Sequence, residues 1–183
     1  MTYKEISKAL QNAQKNDEVV EIFRGEMDEV SILANVISFS QDLICVESIN
    51  DFTSNGYRIL RLKDITDISL SDKNDSLRFM NYICKKEDVF SLSNPEIDIK
   101  SWASVFAFLA SEKLPVTVEC ALDDAFDYYV GWITSLNGNI ATMKCYDGSG
   151  VMFEEDMKIN LSFVSQIMVK EKYTTLTAKY VVK

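Results

Sequence analysis

The chain contains no histidine. Its absence removes the commonest general base, the usual Ser–His and Cys–His nucleophile pairs, and most transition-metal sites. Glycine and proline are scarce as well, 6 and 2 among 183 residues, so no segment reads as a flexible linker or low-complexity tract. No stretch approaches the roughly 18 consecutive apolar residues that a membrane-spanning helix needs. The longest apolar cluster, Trp102 to Ala110, is short and interrupted by Ser104. Met1 to Lys15 interleaves acidic and basic residues and lacks the apolar core of a secretory signal, which makes the cytoplasm the expected location. Phosphate-cradling and nucleophile-elbow patterns (G-x-G-x-x-G, G-x-x-x-x-G-K, G-x-S-x-G) are missing too. Cys45, Cys84, Cys120 and Cys145 form no C-x-x-C pair, and three of them alternate with apolar residues. Buried reduced thiols are expected, not disulfides or metal ligands. These absences predict a protein that is not an enzyme and carries no cofactor and no metal.

Charge narrows the partners. The net charge is −9, and dividing the chain at Pro95 gives 11 basic against 16 acidic residues, then 8 against 12. Acidity is therefore shared, −5 and −4, and is not carried by a tail. A chain of this sign is repelled by phosphate backbones unless its lysines gather on one face. A protein partner is expected, nucleic acid is disfavoured, and nothing points to a membrane.

What the sequence does contain is a repeat. Tyr3, Ile6, Leu10 and Ala13 form one apolar stripe at helical spacing, and Ile99, Trp102, Phe106 and Leu109 repeat it 96 positions later. Thr2 is the candidate cap of the first helix; Asp98 or Ser101 is that of the second. Short alternating strands follow, Val20-Glu21-Ile22 and Val116-Thr117-Val118, and then acidic connections, Glu26/Asp28/Glu29 and Asp123/Asp124/Asp127. Longer strands come next, Ser31 to Phe39 and Leu43 to Ile49 against Tyr128 to Leu136 and Ile140 to Tyr146, at an offset of 97. Turns are expected at Ser40-Gln41-Asp42, at Asn137-Gly138-Asn139, at Ser54-Asn55-Gly56 and at Asp147-Gly148-Ser149-Gly150. Leu62, Ile65 and Ile68 match Leu161, Val164 and Ile167 at an offset of 99.

The expected class is α+β, mainly β: two tandem units, each a helix plus a small β-barrel, related by internal duplication. Residues 1–71 hold the first unit, 72–94 a connecting segment, and 95–183 the second. Leu77, Met80 and Cys84 place a helix over Asp75 to Lys86, while the Thr- and Val-rich run Tyr173 to Val182 reads as an extra C-terminal strand.

One helix followed by about five short, bent strands resembles the Sm-like (LSm/Hfq-type) family, and SH3-like barrels more generally. The second copy carries the better likeness, in Val130-Gly131-Trp132-Ile133 followed by Leu136-Asn137-Gly138-Asn139-Ile140. The resemblance implies a glycine at which the second strand bends to close the barrel; Ala34 stands there in the first copy. It also implies RNA binding. However, the family's turn Asp falls on Asn137 and Ser40, its base-contacting Asn falls on Ala141 and Ile44, and its Arg-Gly signature has no match.

Candidate binding residues therefore come from aromatics and acids. Tyr128, Val130 and Trp132 share one face of a strand, while Tyr129, Gly131 and Ile133 share the other. One small core cannot bury both faces, so Tyr128 and Trp132, or Tyr129, are expected to be partly exposed, and exposed Tyr and Trp anchor protein interfaces. The alternative is that Trp132 packs on the helix bearing Trp102. Asp123, Asp124 and Asp127 complete the candidate partner-binding set, against the plainer reading of a solvated loop that blunts a strand edge. Glu154-Glu155-Asp156 is a third acidic cluster. The function expected is a regulatory or adaptor role through protein–protein contacts. Alternatives are an Sm-like RNA-binding protein, and an acidic nucleic-acid mimic or immunity-type inhibitor of a basic-grooved enzyme.

Overall fold

The structure, a computed structural model, describes residues 1–27, 30–90, 96–122 and 126–182. The class is α+β and mainly β, with antiparallel strand pairing in an open arrangement. Two compact units emerge: Met1–Gly56 with Leu60–Pro95, and Tyr57–Ile59 with Glu96–Lys183. Among the described residues no helix is long and apolar enough to cross a membrane.

In the first unit, helix α1 spans Tyr3–Asn16. Thr2 caps it: its Oγ1 accepts from the Glu5 amide at 3.4 Å, and its own amide donates to Glu5 Oε2 at 2.7 Å. The helix ends where Asp17 turns left-handed at φ 50°. Ile6, Ala9, Leu10 and Ala13 are buried. Tyr3, expected on the same stripe, is half exposed and donates its hydroxyl to the Gln41 carbonyl at 2.7 Å. Strands β1 (Val19–Phe23), β2 (Ile32–Phe39), β3 (Leu43–Asn50) and β4 (Thr53–Arg61) follow, then a 3-10 turn at Leu62–Asp64 and β5 (Asp67–Ser69). Their order is β5-β1-β2-β3-β4. The α1 stripe packs with Val20, Ile22, Ala34 and Val46. On the opposite face Val19 and Ile49 meet Leu77 and Cys84 of helix α2, Asp75–Lys86, with Met80 packed alongside. β1 is thus covered on both faces.

The turn expected at Ser54-Asn55-Gly56 lies elsewhere. The chain reverses at Asp51-Phe52, both at positive φ, and Gly56 takes φ 78° inside β4. A glycine within a strand pattern marks a backbone irregularity as readily as a turn.

In the second unit, helix α3 spans Trp102–Glu112, and the Ser101 hydroxyl caps it by accepting from the Ser104 amide at 3.2 Å. Val105, Phe106 and Leu109 are buried. Strands β6 (Pro115–Ala121), β7 (Phe126–Asn137), β8 (Ile140–Cys145) and β9 (Met157–Asn160) follow, then a 3-10 turn at Leu161–Phe163 and β10 (Val164–Val169). Their order is β10-β6-β7-β8-β9. Tyr57–Ile59 group with this unit, where Arg58 Nη1 donates to Gln166 Oε1 at 3.2 Å.

The strand registers run in step. Val20 pairs with Ala34, and Val116 with Gly131; Ala34 pairs with Ser48, and Gly131 with Cys145. Ile22 pairs with Ile68, and Val118 with Ile167. The ladder shifts between Val36 and Ser38 in one unit and between Ile133 and Ser135 in the other. At Gly131 a Cβ would lie 2.0 Å from the Lys144 carbonyl oxygen, so β8 approaches closer than any side chain allows.

The C-terminal segment departs from expectation. Tyr173 to Val182 is not a strand: Lys172–Thr177 forms helix α4, and only Val182 bridges, in parallel, to Val151. Threonine hydroxyls account for the change, because they find partners that a strand would not supply. Thr177 Oγ1 bonds back to the Tyr173 carbonyl at 2.9 Å, and buried Thr174 Oγ1 lies 2.7 Å from Thr117 Oγ1 on β6. Tertiary hydrogen bonding overrides the β propensity of these residues.

Candidate functional site

The site is built on the outward face of β7. Antiparallel register sets Tyr128 beside Glu119, Val130 beside Thr117 and Trp132 beside Pro115 on β6, and it sets Trp132 beside Lys144 on β8. Directly paired residues share a face. Tyr128 is 55% exposed. Trp132 is half-buried, and its ring contact is with Tyr146, centroids 5.5 Å apart and planes tilted by 46°. Tyr129 points to the other face with Gly131 and Ile133. Its hydroxyl donates to Asp127 Oδ2 at 3.1 Å. Burial, reinforced by that carboxylate, pushes the Tyr129 phenol up to about 12.

The predicted site residues therefore divide. Tyr129 and Asp127 form a pair, while Tyr128 and Trp132 occupy the opposite face. Asp123 and Asp124 lie outside the described residues, as do Asp28 and Glu29 of the first acidic connection.

Around Trp132 the second unit opens a groove of about 730 Å³. Met152 and Phe153 join Trp132 as its apolar lining, and Ala178 and Val181 add aliphatic surface from the segment after α4. That segment is fixed at two points. The Tyr146 hydroxyl lies 2.8 Å from Thr177 Oγ1, and the Val182 amide donates to the Gly150 carbonyl at 2.8 Å. Four exposed charges complete the lining: Lys144, Glu154, Asp156 and Lys179. The Asp156 charge is felt at Cys145, whose thiol is pushed up to about 12 by burial first and by this carboxylate second.

The same sheet face also carries a buried polar group. The Glu119 carboxyl accepts from the Ser165 hydroxyl and, at 3.1 Å, from Gln166 Nε2. Glu119, Ser165 and Gln166 are all at most 2% exposed, so this group supports the sheet and has no access to a ligand. Cys45, Cys84, Cys120 and Cys145 are buried free thiols. Among the described residues no cluster of three or more carboxyl or thiol groups is placed to hold a metal ion.

Comparison with known proteins returned no match. That holds for family models, for curated proteins and for solved structures.

Of the aromatic lining, Trp132 is visible in the sequence as a candidate interface residue. The groove's C-terminal wall is not, because reading Tyr173 to Val182 as a strand gives no reason to bring Lys179 and Val181 to Trp132. The alternation Trp132, Thr134 on β7 against Thr142, Lys144 on β8 does place Lys144 on the tryptophan's face, and this signal could have found it.

Proposed function

We propose that the protein is a non-enzymatic binding protein that engages a protein partner through the groove of its second unit. The observation that carries this reading is the arrangement at Trp132: a half-buried indole, packed on Tyr146, lines an open groove beside exposed Phe153 and half-buried Met152. Large aromatic side chains in such positions are the usual energetic centres of protein interfaces. The absence of histidine supports the non-enzymatic part.

The same reading takes the chain as an internal duplication of Sm-like units. One helix, five strands in the same order, a 3-10 turn before the fifth strand and a register shift at matching positions recur in both units. Paired residues of the second unit follow their counterparts by 96 to 99 positions. RNA binding in the manner of that family is not favoured. Ala141 and Ile44, which fall where the family's Asn meets a base, are fully buried and apolar.

The test is affinity capture from the native lysate with the wild-type chain and with a Trp132→Ala/Phe153→Ala variant. A partner recovered reproducibly by the first and lost by the second supports the proposal. No reproducible partner, or equal recovery by both, refutes it.

A further inference from the structure

The four charged side chains of the groove are of both signs, yet they do not pair. Among the described residues, Lys144, Lys179, Glu154 and Asp156 take part in no ion pair and no side-chain hydrogen bond. They come from separate segments. Lys144 stands on β8 as the cross-strand neighbour of Trp132, Glu154 and Asp156 precede β9, and Lys179 follows α4. The connections that hold these segments are made by other groups, Tyr146 to Thr177 and Val182 to Gly150. Two cations and two anions are thus presented around an apolar lining without neutralising one another.

A ligand charged with one sign fits this arrangement badly. A nucleic-acid strand would bring its phosphates against Glu154 and Asp156. A uniformly basic tail would meet Lys144 and Lys179. In either case two of the four groove charges face a ligand charge of their own sign, which is unfavourable. A ligand carrying both signs about an apolar centre offers an opposite charge to the lysines and to the carboxylates while covering the Trp132 surface. We propose that the groove takes an extended segment of a partner protein in which an apolar side chain sits between a basic residue and an acidic one. The inference rests on the groove being the partner site, as argued above. Met152 adds an adaptable surface for the apolar side chain. All four charged residues and Phe153 are exposed, so the groove is open along its charged borders. That openness suits a passing chain, whereas small-molecule sites bury most of their ligand.

Trp132 is its own reporter once Trp102 is replaced, since the chain has 2 tryptophans. The Trp102 indole N–H is buried without an acceptor, so Trp102→Phe removes an unsatisfied donor. In that background, Trp132 emission is titrated with four peptides: acetyl-Gly-Arg-Leu-Glu-Gly-amide, its Glu-Leu-Arg counterpart, and the single-sign Arg-Leu-Arg and Glu-Leu-Glu versions. One of the two mixed peptides is expected to saturate the signal roughly three- to tenfold more tightly than either single-sign peptide, as two exposed ion pairs allow. The Lys144→Glu/Lys179→Glu variant is expected to shift the preference to Arg-Leu-Arg. Equal response to all four peptides, preference for a single-sign peptide, or no response to any overturns the inference. Equal saturation by free zwitterionic leucine overturns the assignment to a protein segment. The underlying reading is judged separately: a lysate partner lost with Trp132→Ala/Phe153→Ala leaves it standing even where every peptide fails.

Discussion

The Tyr146 hydroxyl lies 2.8 Å from Thr177 Oγ1, while the ring of the same tyrosine packs on Trp132. One residue therefore sets both the indole that lines the groove and the helix that leads into its far wall. Burial pushes the Tyr146 phenol above its ordinary value, although the Thr177 contact opposes this. Removing only the hydroxyl separates the two roles. Tyr146→Phe is expected to cost about 1 kcal/mol, the net value of one such hydrogen bond. It should also accelerate amide hydrogen exchange over 172–182 while leaving β6 to β8 protected. Exchange measured by mass spectrometry checks this; unchanged rates over 172–182 would show that the wall does not depend on Tyr146.

Gly131 and Ala34 occupy the same register position in their units, but they are not interchangeable. Ala34 is buried in the ladder opposite Val20 and Ser48. A methyl at 131 would lie 2.0 Å from the Lys144 carbonyl oxygen. Gly131→Ala must push β8 away, disturbing Lys144 beside Trp132, and is expected to destabilise the second unit by about 2–4 kcal/mol. Ala34→Gly is expected to cost about 1 kcal/mol. Denaturant midpoints of the two variants decide the point, and similar losses in both would argue against the steric explanation.

How much of this was legible follows from the kind of interaction involved. The stripes Ile6, Leu10, Ala13 and Leu77, Met80, Cys84 announce their helices because apolar spacing and burial are the same information, and Thr2 and Ser101 announce their caps. The strand at Tyr128 to Leu136 and the buried thiols were readable for the same reason. Helix α4 was not, because it is held by hydroxyls: Thr174 to Thr117 and Thr177 to Tyr146. A threonine reads locally as a strand former, and its distant partner is invisible in a window of sequence. The groove inherits that blindness, since Ala178, Lys179 and Val181 of its lining follow α4. The reversal at Asp51-Phe52 was missed because Phe52 carries no turn signal, whereas Asn55-Gly56 carries a strong one that the strand absorbs.

Glu119 is 1% exposed and accepts hydrogen bonds from Ser165 and Gln166. Glu119→Ala would leave both donors buried without this acceptor and is expected to cost about 2–4 kcal/mol. Glu119→Gln keeps an acceptor for Ser165 and should lose distinctly less. Urea unfolding of the two variants provides the comparison. If alanine and glutamine prove equally damaging, charge rather than hydrogen bonding governs the position.

Stability should fall in alkali through groups that the fold keeps protonated. Burial raises the Cys45 and Cys145 thiols from 9.0 to about 12, and the Tyr129 phenol rises from 10.0 to about 12 through burial and its bond to Asp127. Each group gives up its proton more readily in the unfolded chain than in the native one. Their contribution to stability is therefore intact below about pH 9 and lost progressively as pH climbs toward 12. Thermal midpoints measured from pH 7 to 11 are expected to stay level at first and then decline from about pH 9. The thiols offer an independent check on the same cause: native protein at pH 8 should resist alkylation at Cys45 and Cys145, and both should react once it is unfolded in urea. Rapid modification of either in the native state would mean that its burial does not hold, and the alkaline decline would then need a different origin.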